Sequence, residues 1–174
     1  MGKCKLPWLL DCNLSGKEIT MAEKNDEVIS VLNDLIETCK DAEQGFRTAA
    51  EGVGKEGDAE LRTLLNAHAQ QRARFAADLQ NEVLHLGGDP SKSGHVSGSF
   101  HRGWMNLKAA ISANSEASII EECENGERTA MKNYEDALKK MLPLDLKETI
   151  ENQYAEIKLA HSRLKGLERA YRAS

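Results

Sequence analysis

The sequence predicts an all-α chain: an antiparallel four-helix bundle with one long crossover that carries a short extra helix. Three observations lead there. The composition suits helices, with aromatic residues at 5% and three prolines in 174 residues. Four long stretches place apolar residues in alternating steps of three and four, the spacing of one helix face. The links between these stretches run short, long, short, and the long one contains a brief helical pattern.

The first long helix is expected over 26–50. Its seam reads Val28, Leu32, Leu35, Cys39, Ala42, Phe46, Ala49. A flanking column reads Ile29, Ile36, Glu43, Ala50, which makes Glu43 a carboxylate among apolar neighbours. "EGVGKEGD" ends this helix and presents Asp58 as the next N-cap, where a side-chain oxygen accepts the orphan N–H groups of a first turn. The second helix, 58–86, has Leu61, Leu65, Phe75 and Leu79 in its seam, interrupted one turn apart by His68 and Arg72. "LGGDP" stops it. Residues 87–100 are a Gly- and Ser-rich loop, and 101–112 form a short helix with Trp104, Leu107 and Ile111 on one side.

The third long helix, 115–141, puts Ile120, Cys123, Glu127, Ala130, Tyr134, Ala137 and Met141 in its seam. Glu124 lies in the adjoining column. "LPLD" makes the next turn, with Asp145 as a candidate N-cap. The last helix, 146–171, runs from Leu146 through Ile150, Gln153, Ile157 and Ala160 to Leu164. At about 100° per residue, Glu156 and His161 flank the centre of its buried face on opposite sides, so a small rotation brings one in and turns the other out.

The bundle is expected over 22–172, with 1–21 a flexible N-terminal extension or an upstream addition before Met21. "KLPWLL" is too short for a signal-peptide core or a membrane span. The net charge of −5 gives no basic face for nucleic acid. Of the four cysteines no two form a CxxC, which argues against a zinc knuckle and for reduced thiols in a cytoplasmic protein. There is no P-loop and no dinucleotide fingerprint. In the crossover, Trp104 is expected to pack the short helix onto the bundle, and His95 and His101 do not have metal-ligand spacing. The small residues Ala69, Ala73, Ala76 and Ala77 would allow a second copy to approach, so a homodimer is expected.

The segments "VLNDLIETCKDAEQGFRTAAEGV" at 31–53, "LGGDP" at 86–90, "SGSFHRGWMNLKAAI" at 97–111, "EECENGE" at 121–127 and "EIKLAHSRLKGL" at 156–167 identify a likeness. The chain resembles an uncharacterised bacterial family of ferritin-like four-helix bundles, related to YciE/YciF-type stress proteins and more distantly to rubrerythrins. The resemblance implies the fold and a stress association, but no established activity.

Di-iron bundles of this type take a Glu from one helix of each pair and a Glu-x-x-His from the other. Glu43, Glu124 and Glu127 are similar to members of that set. The second helix departs from it, with Arg72 and Phe75 where Glu and His would stand. The fourth helix has His161 but Lys158 three residues earlier. Three readings follow. In the favoured one no metal is bound, and Glu43, Arg72, Glu124 and Glu127 form a buried ion-pair network in which Glu43 faces Arg72, with His68 and Gln153 as structural polar core. In the second, Glu43, Glu124, Glu127 and Glu156 with His161 or His68 bind iron or manganese for oxygen- or peroxide-linked chemistry. In the third, the carboxylates only rim the seam and reach solvent.

Overall fold

Five helices account for nearly all of the residues that the computed structural model describes, which are 21–54, 57–92, 94 and 98–173. They are α1 (Met21–Gly52), α2 (Ala59–His85), α3 (Gly98–Ser112), α4 (Glu116–Leu138) and α5 (Leu144–Ala173). No strand occurs among the described residues. Of the expected extension 1–21, residues 1–20 lie outside them, as does His95, while Met21 is the first residue of α1.

Local chemistry sets the helix ends. Asp58 caps α2, its Oδ1 accepting from Glu60 N–H at 2.7 Å and Leu61 N–H at 3.1 Å. Ser115 caps α4 through the Ser118 N–H. The end of α2 is a Schellman turn: Gly88 N–H reaches Val83 C=O at 2.9 Å and Gly87 N–H reaches Leu84 C=O at 3.0 Å. Gly87 has φ +79°, a conformation that an L side chain strains.

Two expectations at the α4–α5 turn need correction. α4 ends at Leu138, so Met141 is not a seam residue but 79% exposed. α5 already begins at Leu144, which places Asp145 inside its first turn rather than at the cap.

Cross-helix contacts fix the directions. Thr38 meets Asn133 at 2.9 Å, while Glu116 at the start of α4 accepts from the Asp58 N–H just beyond the end of α1. α4 therefore runs opposite to α1. Successively later residues of α5, Gln153, His161 and Arg172, meet the successively earlier Tyr134, Glu124 and Glu121 of α4. After α2 the chain turns back beside α1. Asn33 binds the backbone of Asp89 and Ser91, the Ser91 hydroxyl donates to Glu37, and Lys40 donates to Lys92 C=O. α3 then packs on α1 and α4 through Leu107 and Ala110, with Ile111 against Gly52.

The apolar interior divides into two clusters. One is built around Leu32, Leu35, Leu79, Tyr134, Ile150 and Ile157, the other around Phe46, Ala49, Leu65, Ile119, Ile120 and Leu164. Burying such a Leu or Ile stabilises the fold by about 1.5–3 kcal/mol. On α2 the clusters are separated by residues 70–74 and on α4 by 124–129. Arg72, Glu124 and Glu127 stand in those gaps.

Candidate functional site

The break between the clusters is a polar layer at mid-bundle. Its centre is Arg72, a seam residue of α2 that is fully buried. Its Nη2 lies 2.6 Å from Glu127 Oε2 and its Nε 3.3 Å from Oε1, so the guanidinium grips both oxygens of one carboxylate. Glu127 is 1% exposed. The guanidinium also sits 5.3 Å from the centroid of the Phe75 ring, one turn along α2. Burial raises the Glu127 carboxyl above its usual range, and the pull of Arg72 and then His161 opposes that without overcoming it. A buried pair with such a balance costs more in desolvation than an apolar pair of the same shape.

Glu124, one turn before, is also buried, and its oxygens are shared. Arg128 on the same helix donates to both at 2.8 and 2.9 Å, and His161 Nε2 of α5 approaches Oε1 at 2.7 Å, off the line of a hydrogen bond. Burial acts upward on this carboxyl, but Arg128 and His161 outweigh it and hold it below the usual range. The rotation of α5 is therefore resolved: His161 turns in and Glu156 turns out, where it is exposed and accepts from Gln71 Nε2.

The expected pairing of Glu43 with Arg72 is not what forms. Glu43 is half-buried and bound by Arg47, one turn later on its own helix, at 2.7 Å. An Arg at i+4 is closer to hand than one across the core. The remaining Nη1 of Arg72 has no hydrogen-bond partner among the described residues. Thus, among the described residues, Arg72 joins Glu127, Glu124 belongs to a separate group with Arg128 and His161, and Glu43 and Glu156 stand apart from both.

Below the ion pair runs a neutral chain of hydrogen bonds. The Cys39 thiol meets the Tyr134 hydroxyl at 3.1 Å, and that hydroxyl donates to Gln153 Oε1 at 2.8 Å. Gln153 Nε2 reaches toward Phe75 C=O at 3.5 Å. Burial pushes the Cys39 thiol up to about 11 despite the Tyr134 hydrogen bond, and burial likewise raises Tyr134. Both stay protonated at neutral pH, so the thiol supplies its proton to the tyrosine oxygen. The seam positions of Cys39 and Tyr134 were legible; that they pair was not. Gln153 is buried.

His68, on α2 one turn before Arg72, is buried against the Phe46 ring with centroids 5.3 Å apart. Burial, then the charges of Arg72 and Arg163, lower its pKa to about 4. Trp104 of α3 is half-buried and has Lys108 Nζ 5.1 Å from its ring centroid, and His101 is exposed. Two strip residues, Ala69 and Ala76, are buried inside the chain and so are not an outward dimer seam.

A metal fits this layer poorly. Both Glu127 oxygens are taken by a cation of the protein, Glu124 and His161 are two donors only, and no group of three or more His, Cys, Asp or Glu that could hold an ion comes together among the described residues. A transition-metal cage needs more convergent ligands.

Two outcomes are expected. Arg72→Met strands the Glu127 carboxylate and should lower unfolding free energy by about 3–5 kcal/mol, whereas Arg72→Met with Glu127→Leu should recover most of the loss or exceed the parent. Urea unfolding of the three proteins checks this. His68 contributes stability that is fully present above the unfolded imidazole value near 6.5 and is lost as pH falls toward about 4, because only the unfolded chain takes up the proton in that window. The loss at pH 4 is about 3 kcal/mol. The stability difference between pH 7 and pH 4 should shrink by that amount in His68→Leu.

Comparison with known proteins adds a family and no activity. No curated protein matches the chain. One family model matches residues 27–140, which takes in α1 from Glu27 onward and all of α2 to α4, with Arg72 and Glu127, but stops before Gln153 and His161. By that match the chain belongs to the family described as Domain of unknown function (DUF2383).

Proposed function

We propose that this chain is a non-catalytic, ferritin-like bundle protein, a structural or interaction module in which a protein cation occupies the mid-bundle position that di-metal relatives of the fold give to metal. The supporting observation is the two-pronged grip of Arg72 on Glu127, both side chains being buried. A permanent guanidinium charge repels a metal cation and already engages both oxygens of Glu127. The return of the chain beside α1 after α2 fits the single long crossover of ferritin-like bundles. The stress association rests on the resemblance to YciE/YciF-type proteins. No helix among the described residues is long and apolar enough to cross a membrane, which is compatible with a cytoplasmic location.

A homodimer is part of the proposal. Leu84, Met141, Leu144 and Leu159 are large apolar side chains exposed on the single chain. A second reading, an iron or manganese site with oxygen- or peroxide-linked redox chemistry, draws on the meeting of Glu124 with His161. Among the described residues no third His, Cys, Asp or Glu joins them.

One preparation tests these statements. Protein purified without chelators, incubated with iron(II) or manganese(II) and desalted, should hold far less than one metal per chain by plasma mass spectrometry. Stoichiometric metal in the unmodified protein would contradict the proposal, and Arg72→Glu, which restores a carboxylate, should raise the metal content. Light scattering on the same sample should give twice the chain mass; a strict monomer at high concentration would remove the dimer.

A further inference from the structure

A cavity of about 710 Å³ opens on one side of the bundle between α1, α3 and α4. That lies within the usual range for small-molecule sites, about 300–1,000 Å³. Its floor is apolar, formed by Leu35, Phe46, Leu107 and Cys123. Its walls are acidic. Asp34, Glu37 and Asp41 of α1 and Glu122 and Asp136 of α4 line it, against Lys140 as the one cation among the described lining residues.

Three glycines border it. Gly45, Gly103 and Gly126 line it, one from each helix, and a Cβ at any of them would meet nothing within 4 Å. Glycine inside a helix costs stability relative to alanine, and no neighbour here requires its small size. Gly166 of α5 is equally open but lies away from the cavity. What the three share is the space they leave above the floor.

The charge is spread rather than focused. Among the described residues no group of three or more His, Cys, Asp or Glu forms a cage for an ion. Asp34 and Asp41 are two turns apart on α1, about 10 Å along the axis. Glu37 accepts from Ser91 and Asp136 from Lys139, so these two are already oriented along the walls. Glu37 lies one turn from both Asp34 and Asp41 on α1, while Glu122 and Asp136 belong to α4, so the charge extends along and across the groove. A ligand with several ammonium groups joined by methylene chains would place its charges at the walls and its hydrocarbon on the floor, as lysine stems do on protein surfaces.

We propose that this groove binds a linear aliphatic polyamine. The inference is independent of whether the mid-bundle layer holds metal. The test is calorimetric titration of the full chain with spermidine, with magnesium chloride as the compact-cation control. Saturable one-to-one binding is expected, weakening as salt rises. Asp34→Asn with Asp41→Asn should weaken it at least tenfold. Gly126→Leu, whose side chain enters open space and so should leave the unfolding midpoint no lower, should abolish it. Absence of saturable binding, equal affinity for magnesium, or parent affinity in both variants would overturn the proposal. So would a dimer that becomes monomeric on Gly126→Leu, since that assigns the groove to a second copy.

Discussion

The structure is organised around one buried ion pair. Arg72 and Glu127 lie between two apolar clusters, and neither can leave without exposing the other as an unpaired charge in the core. The pair also sets register. A guanidinium that must meet both oxygens of one carboxylate allows α2 and α4 a single axial offset. Leucine-rich seams alone tolerate sliding by a turn more easily, because apolar contacts are not directional. Specificity of this kind is a reason for a core to keep a pair that costs desolvation energy.

The rest of the layer follows from that constraint. Carboxylates near the pair need their own cations, and each finds one close by: Glu124 has Arg128 and His161, and Glu43 has Arg47. His68, held neutral at physiological pH, adds no second charge beside Arg72. The Cys39–Tyr134–Gln153 chain consumes its polar groups internally and so sits within the lower cluster. The layer thus separates into charged and neutral parts, and among the described residues no group of three or more metal-ligating side chains comes together.

Much of this was legible in the residue spacing. Steps of three and four located every long helix, and Asp, Gly and Pro chemistry gave the Asp58 cap and the "LGGDP" stop. The same steps also put Arg72 and Glu127 in facing seams. The partner of Arg72 was not fully legible, because Glu43, Glu124 and Glu127 all lie on or beside a seam and only the axial offset of the helices selects one. A better signal was present for the others. Glu43 with Arg47 and Glu124 with Arg128 are both i,i+4 pairs, which satisfy a carboxylate without any tertiary contact. The inward turn of His161 depended on a rotation of α5 of less than one residue's angle, which periodicity does not resolve. The groove was also hidden, since mid-helix glycines in sequence show only a weak helix and not what stands beside them.

The most direct test of the account is nuclear magnetic resonance of the arginine side chains. A guanidinium locked in the core against Glu127 should give one Arg72 Nε–H signal that exchanges slowly with water at neutral pH, with its Nη protons resolved by hindered rotation, and these features should vanish in Glu127→Gln. If every arginine side chain in the parent protein exchanges as fast as a free guanidinium, Arg72 is solvated and the central ion pair does not exist.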